Sequence, residues 1–278
     1  MIDHANPINW THSFARGLLS WHRVLPGVSD GLYWRDLCNR SHATLTNMEP
    51  RSTTSGYRGT ARPGGDGEVR FDGSNDQGIA SLTATAWPNP IDWTMAAWGF
   101  PVAGTGFQGL CGWANAAAER RELFIDSSKI PGVSSGTDFR TATSGGAVLT
   151  GVWVHLAATY IEGVTNLYRN GVSLTLSTPS GATPRNQANT FFIGSLVVAS
   201  STFLWNGAAD DVMVWQYGFP PEGIAALYQS SLLGHPGLLR RRVPRVYSVP
   251  AAPGGTGITS IPLAGRSGRL AGRGGLAA

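Results

Sequence analysis

Trp153-Val154-His155-Leu156-Ala157-Ala158-Thr159-Tyr160 leads, four residues on, into Thr165-Asn166-Leu167-Tyr168-Arg169 and then Asn170-Gly171. Asn-Gly between two alternating runs is the strongest short hairpin signal, because both residues tolerate the positive φ of a type I′ turn. The same texture extends outward in both directions. Glu68-Val69-Arg70-Phe71-Asp72-Gly73 alternates and turns at Ser74-Asn75-Asp76, and Trp93-Thr94-Met95-Ala96-Ala97-Trp98-Gly99-Phe100 is an apolar run of strand length ended by Pro101. Further strands read at 109–113, 121–126, 191–194 and 209–215. Only Pro221-Glu222-Gly223-Ile224-Ala225-Ala226-Leu227-Tyr228 reads as a helix, with Pro in its first turn. About ten strands against one short helix imply an all-β fold of two packed antiparallel sheets.

Composition agrees. The 278 residues are 42% hydrophobic with ten Trp, enough for one large core, and 37 Gly and 17 Pro suit short strands joined by turns. Charged residues are only 14%, against ~25% in a typical soluble domain. No stretch approaches the ~18 apolar residues of a membrane span, and Met1-Ile2-Asp3-His4 opens without a basic or an apolar leader region, so no secretory signal is expected. Cys38 and Cys111 lack CxxC spacing and read as buried thiols or as one isolated bridge. Residues 1–66 form a Trp-rich lead-in that contributes short strands near 8–10, 17–21 and 31–37 and ends in a polar loop, 49–68. Residues 67–232 form the sandwich and 233–278 an extended tail.

Charge is unevenly placed. After Glu222 there is no acidic residue, yet Arg240, Arg241, Arg242, Arg245, Arg266, Arg269 and Arg273 follow. The net charge is +4, of which these seven supply +7, so the rest of the chain carries −3. Such asymmetry predicts a tail with its own partner. Nucleic acid is disfavoured, because 249–278 has no aromatic residue and the body is acidic. An Arg- and Gly-rich peptide lying across neighbouring subunits, its guanidiniums paired with carboxylates, is the expected use.

Chemistry is sparse. Glu122 and Asp126 fall on one face of a strand ~13 Å apart at ~3.3 Å per residue. Glycosidase pairs stand about 5–5.5 or 6.5–9.5 Å apart, so catalysis is not expected. His155 has no serine, cysteine or orienting acid near it in sequence and reads as an ordinary packed residue. Alternation in Asp210-Asp211-Val212-Met213-Val214-Trp215 groups Asp210 with the two valines. If the valines face the core, Asp210 is a buried carboxylate that must be hydrogen-bonded or metal-bound. Trp87, Trp113, Trp205 and Tyr57 could stack on sugars, though aromatics in a sandwich serve more often as core or subunit contacts.

Four segments taken together resemble a laminin-G-like, concanavalin A-like domain: 69–76; 93–98; 153–160 with 166–171; and 207–215 with 222–228. The resemblance implies a two-sheet jelly roll. It also implies a possible structural calcium held by Asp72, Asn75, Asp76 and Asp210; the alternative is a carboxylate that ties turns together through backbone N–H groups. The lead-in, from Gly17-Leu18-Leu19-Ser20-Trp21 to Asn47-Met48, and the Arg/Gly-rich tail are similar to those of laminin-G-like proteins of bacteriophages. That likeness implies a non-enzymatic virion protein, a capsid decoration protein that binds the major capsid protein and copies of itself. A glycan-binding adhesion module is the alternative, with its sugar-binding residues open.

Overall fold

Asn170 and Gly171 form the expected turn, with φ of 52° and 79°, and join β13 (Val164–Arg169) to β14 (Val172–Leu174). In the computed structural model this hairpin edges one of two antiparallel eight-stranded sheets. The structure describes residues 7–25, 33–49, 52–58, 62–81, 92–102, 104, 106–114, 120–136, 138–179, 190–196 and 203–239. From the hairpin the first sheet runs through β12 (Val154–Ile161), β7 (Trp93–Pro101), β16 (Asn206–Trp215) and β5 (Glu68–Asp72) to β4 (Gly56–Arg58), while β1 (Leu18–His22) pairs with the second half of β16. The second sheet is ordered β11 (Asp138–Thr141), β10 (Pro131–Ser135), β9 (Arg120–Ile125), β8 (Gln108–Ala114), β15 (Thr190–Ile193), β6 (Gln77–Ser81), β3 (Ala43–Thr46), β2 (Tyr33–Trp34).

The main core lies between the sheets, where Met95, Leu156, Val212 and Val214 of the first meet Leu123, Ile125, Phe191 and Ile193 of the second, all at most 1% exposed or fully buried. The first sheet's outer face is also covered. Helix α1 (Pro221–Leu232) and the segments 8–25 and 233–239 bury Trp21, Met213, Trp215 and Tyr168 beneath Ile224, Leu227 and Leu238. Ile8 bridges Leu239, and Asn9 N–H donates to Leu238 O at 2.7 Å. The described chain therefore enters and leaves side by side on this covered face. Among the described residues no helix crosses the outer face of the second sheet.

Three expectations change. The polar loop at 49–68 contains β4 and sends Arg62 into the interior. Residues 233–239 belong to the body, with Leu238 fully buried, so the tail begins later than 233. Finally, β16 is not regular. Asp210 lies opposite Trp98 and Met213 opposite Ala96, so two residues face Ala97 alone. This is a β-bulge, and Asp211 supplies its left-handed residue at φ 47°. The insertion inverts the alternation: Ala209 before it and Val212 after it both reach the core between the sheets. Asp210 consequently shares Trp98's face, under α1, rather than the valines' face.

Candidate functional site

Five charged residues and a histidine meet at that bulge. Arg62 Nε donates to Asp210 Oδ2 at 2.8 Å, its Nη2 to Asp211 Oδ2, and its Nη1 to the Ser231 carbonyl of α1 at 3.1 Å. Arg23 pairs with Asp211 at 3.3 Å and with Asp66 at 2.9 Å. Trp21 Nε1 and His235 Nε2 donate to Asp211 at 2.8 and 2.9 Å, and Val24 N–H donates to Asp210 at 3.2 Å. The Arg62 guanidinium lies 5.2 Å from the centre of the Trp98 ring. Burial, and then the neighbouring Asp211 charge, push Asp210 up to about 6. Burial opposes ionisation of Asp211 too, but Arg23 and Arg62 hold it well below the usual carboxylate range. All but Asp66 are buried, so the cluster offers no surface to a ligand. It ties β1, β16, the loop at residue 62 and the end of α1 together.

Burial also lowers His22, His235 and His155, the last to about 3. Each is neutral when folded and takes up a proton more readily when unfolded. Their stabilising contribution is therefore complete above the ordinary value of 6.5 and is lost as pH falls toward the folded values. Asp210, raised, has the opposite sign: its contribution fades as pH rises through about 6. Asp76, also raised by burial, has the same sign as Asp210. Three histidines against two carboxyls, one of them only partly buried, predict a urea midpoint that falls from pH 7 to pH 5, less so in His155→Gln. A midpoint independent of pH across that window would refute the assignment.

The residues expected to hold calcium do not converge. Asp72 lies opposite Asn206, four residues before Asp210 on β16, which is ~13 Å along a strand. Asp72 Oδ1 accepts from the N–H groups of Ser74, Asn75 and Asp76 at 2.7, 3.2 and 3.4 Å, and Asp76 Oδ2 accepts from Asp72 N–H at 2.9 Å. The Asn75 carbonyl accepts from the Asn47 amide at 3.0 Å. These carboxylates tie a turn through backbone N–H groups, and among the described residues no group of three or more His, Cys, Asp or Glu side chains could hold a metal.

Other candidates move as well. Trp113 and Trp205 are core residues at 3% and 0% exposure, and Tyr57 packs half-buried against the core, so none is a platform for sugar. Trp87 and the seven tail arginines lie outside the described residues. His155 is wedged between Trp98 and Tyr228. Asp126 Oδ1 accepts from the N–H groups of Ser128 and Ile130 in its own turn, while Glu122 accepts from Ser134 Oγ at 2.6 Å on the second sheet's outer face. Cys38 and Cys111 are both free thiols.

That outer face is the accessible feature the sequence did not single out. A row in register crosses all eight strands, from Tyr33 through Thr44, Ile79, Phe192, Gly112, Glu122 and Ser134 to Phe139. The row has two halves. Over β9–β11, Phe124 stacks on Phe139 with ring centres 4.2 Å apart, and Phe107 packs edge-on against both, above the buried Glu122–Ser134 pair. Over β2, β3, β6 and β15 the face is open: Tyr33 is 48% exposed, Thr44 and Ser81 are exposed, and Thr46, Gln77 and Thr190 are half-exposed around a floor of Ile79 and Phe192. The signal that could have found it is the alternation Gln77-Gly78-Ile79-Ala80-Ser81. Gly78 and Ala80 are buried on the core side, leaving the larger side chains outward.

Compared with known proteins, residues 63–225 match the sequence model of the Laminin_G_3 family, of the concanavalin A-like lectin/glucanases superfamily. No curated protein sequence matches the chain. Among solved structures, domain 4 of AbnA, a GH43 extracellular arabinanase from Geobacillus stearothermophilus in complex with arabinotriose, is similar over 76% of this chain and 98% of that one, at 16% identity and a TM-score of 0.58. Trypanosoma rangeli sialidase in complex with sialic acid is similar over 77% of this chain at 14% identity and a TM-score of 0.57; the likeness spans 33% of the sialidase's length. At these identities the likeness is one of fold.

Proposed function

Because the chain belongs to the concanavalin A-like lectin/glucanases superfamily, we propose that it is a carbohydrate-binding module whose site is the open half of the second sheet's outer face. One observation carries the reading. Of the two sheet faces that point away from the core, the chain covers one with its own helix and ends, and leaves on the other a field of hydroxyl and amide groups around an apolar floor. A sugar needs both kinds of surface, hydrogen-bonding groups for its hydroxyls and apolar or aromatic surface for its C–H faces. The structure of AbnA domain 4 with arabinotriose supports the reading as a precedent for this fold.

The proposal is of binding without hydrolysis. Glycoside cleavage uses two carboxylates about 5–9.5 Å apart, and Glu122 is the one acidic residue in the cross-strand row described above. A test is a glycan array followed by titration. Tyr33→Ala with Thr44→Ala, both at exposed positions, should weaken binding by about tenfold or more, some 1.4 kcal/mol, with the melting temperature unchanged. Undiminished affinity in the double variant would remove the site from this face.

The virion reading is a finer proposal, to which the arrangement of the described termini would give a geometry. Residues 7–9 and 237–239 leave together on the covered face, so a basic arm anchored to a capsid or a neighbouring copy would point the open face outward.

A further inference from the structure

The four strands that build the open half read Tyr-Trp, Ala-Thr-Leu-Thr, Gln-Gly-Ile-Ala-Ser and Thr-Phe-Phe-Ile, without a single charged residue. Their outward polar positions are hydroxyls and one amide: Thr44, Thr46, Ser81, Thr190 and Gln77. An ionised sugar group placed there would leave water for strands that offer no countercharge of their own, a costly transfer unless charge-assisted hydrogen bonds replace the hydration. The backbone cannot replace it either. Strands β3, β6 and β15 are paired on both sides, and their N–H groups are committed to the ladders.

Among the described residues the guanidiniums nearest these strands, Arg35, Arg40 and Arg120, lie outside them. Arg120 is on β9, two strands beyond β15, or ~10 Å at ~4.8 Å per strand. It is held 3.8 Å from Glu122 and over the Phe139 ring. Arg35 follows the last residue of β2, the edge strand. Across the centre, each hydroxyl offers one donor and two acceptor sites, and the Gln77 amide offers both kinds. A sugar hydroxyl, itself donor and acceptor, matches such groups without any ion.

We infer that the saccharide taken by this face is uncharged, a neutral glycan rather than a sialylated, uronic or sulfated one. The inference rests on the carbohydrate reading above and narrows it.

Affinity electrophoresis of the full chain separates the two. Gels would contain arabinan, xylan or dextran as neutral polymers and polygalacturonate or heparin as anionic ones. All would be run at 0.5 M NaCl, where the Debye length is only a few ångströms and attraction by the arginine tail is suppressed. At least one neutral polymer should retard the chain, with the same strength at 0.05 M salt, and Gln77→Ala should weaken that retardation at least tenfold without lowering the melting temperature. If instead an anionic polymer retards the chain at 0.5 M NaCl and releases the Gln77→Ala or Arg35→Ala variant, the ligand class is wrong while the carbohydrate reading stands. If no polymer of either kind retards it, both are overturned.

Discussion

Replacing Asp211 with alanine lowers the unfolding free energy by about 3–5 kcal/mol, the range for removing one partner from a buried ion pair. Domains of this kind hold only about 5–15 kcal/mol in all, so the variant should sit near its unfolding threshold at room temperature. Four donors depend on this one carboxylate: Arg23, Arg62, His235 and the Trp21 indole. With Asp211 gone they have only Asp210 and Asp66 to share two guanidinium charges, and Arg23, Arg62 and Trp21 are buried. Alanine also fits φ 47° poorly, whereas Asn and Asp tolerate that region. Asp211→Asn keeps the backbone preference and one acceptor oxygen, so it should cost less than alanine; the difference between them measures what the charge and the second oxygen contribute. Urea unfolding followed by Trp fluorescence reads both. A loss below about 1 kcal/mol for Asp211→Ala would mean that water or neighbouring side chains replace the carboxylate, and that the cluster is not the tie described here.

Much of the sandwich was legible because its signals are local. Asn170-Gly171 demands a hairpin wherever it stands between two strands, and the apolar run 93–100 has no use but a buried strand. The bulge was not legible. Asp210-Asp211-Val212-Met213-Val214-Trp215 alternates in either register, and one inserted residue moves Asp210 from the valines' face to the opposite one. Arg62 was hidden for a different reason. In a polar loop an arginine reads as solvated, and only the fold shows that its loop passes under α1. The sugar candidates failed because tryptophan content does not say which face a tryptophan takes; Trp113 and Trp205 both point inward. At the centre of the open face stands β6, whose inward residues are only Gly78 and Ala80, so no hydrophobic stripe marks it. Asp72 and Asp76 were the right types for a metal, but the same oxygens suit the N–H groups of a tight turn, and the turn takes them.

The second large effect concerns where the folded unit ends. Family similarity covers 63–225, and a chain cut to those bounds should not fold. It lacks β1, which pairs with half of β16, and loses the buried side chains of Leu18, Leu19, Trp21 and Val24 from one end and Leu238 from the other. At about 1.5–3 kcal/mol for each buried apolar side chain the loss rivals the whole stability of a domain, before counting Arg62 and Arg23, whose removal leaves Asp210 and Asp211 buried without cations, and His235, whose loss takes a hydrogen bond from Asp211. Starting the chain at 26 should be nearly as damaging, and stopping it at 232 should cost several kcal/mol through His235 and Leu238. Stopping at 239 should leave the melting temperature within a few degrees of the full chain, since it keeps every described residue of the body, up to Leu239 on its bridge to Ile8. Circular dichroism melts of the four truncations test this directly, and a cooperative melt from 63–225 alone would show that the outer layer is an accessory rather than part of the fold. The 1–239 chain then isolates the tail. If light scattering finds the full chain oligomeric and 1–239 monomeric, the arginine arm joins copies; if both are monomeric, the arm docks on something else or on nothing, and self-assembly through it is excluded.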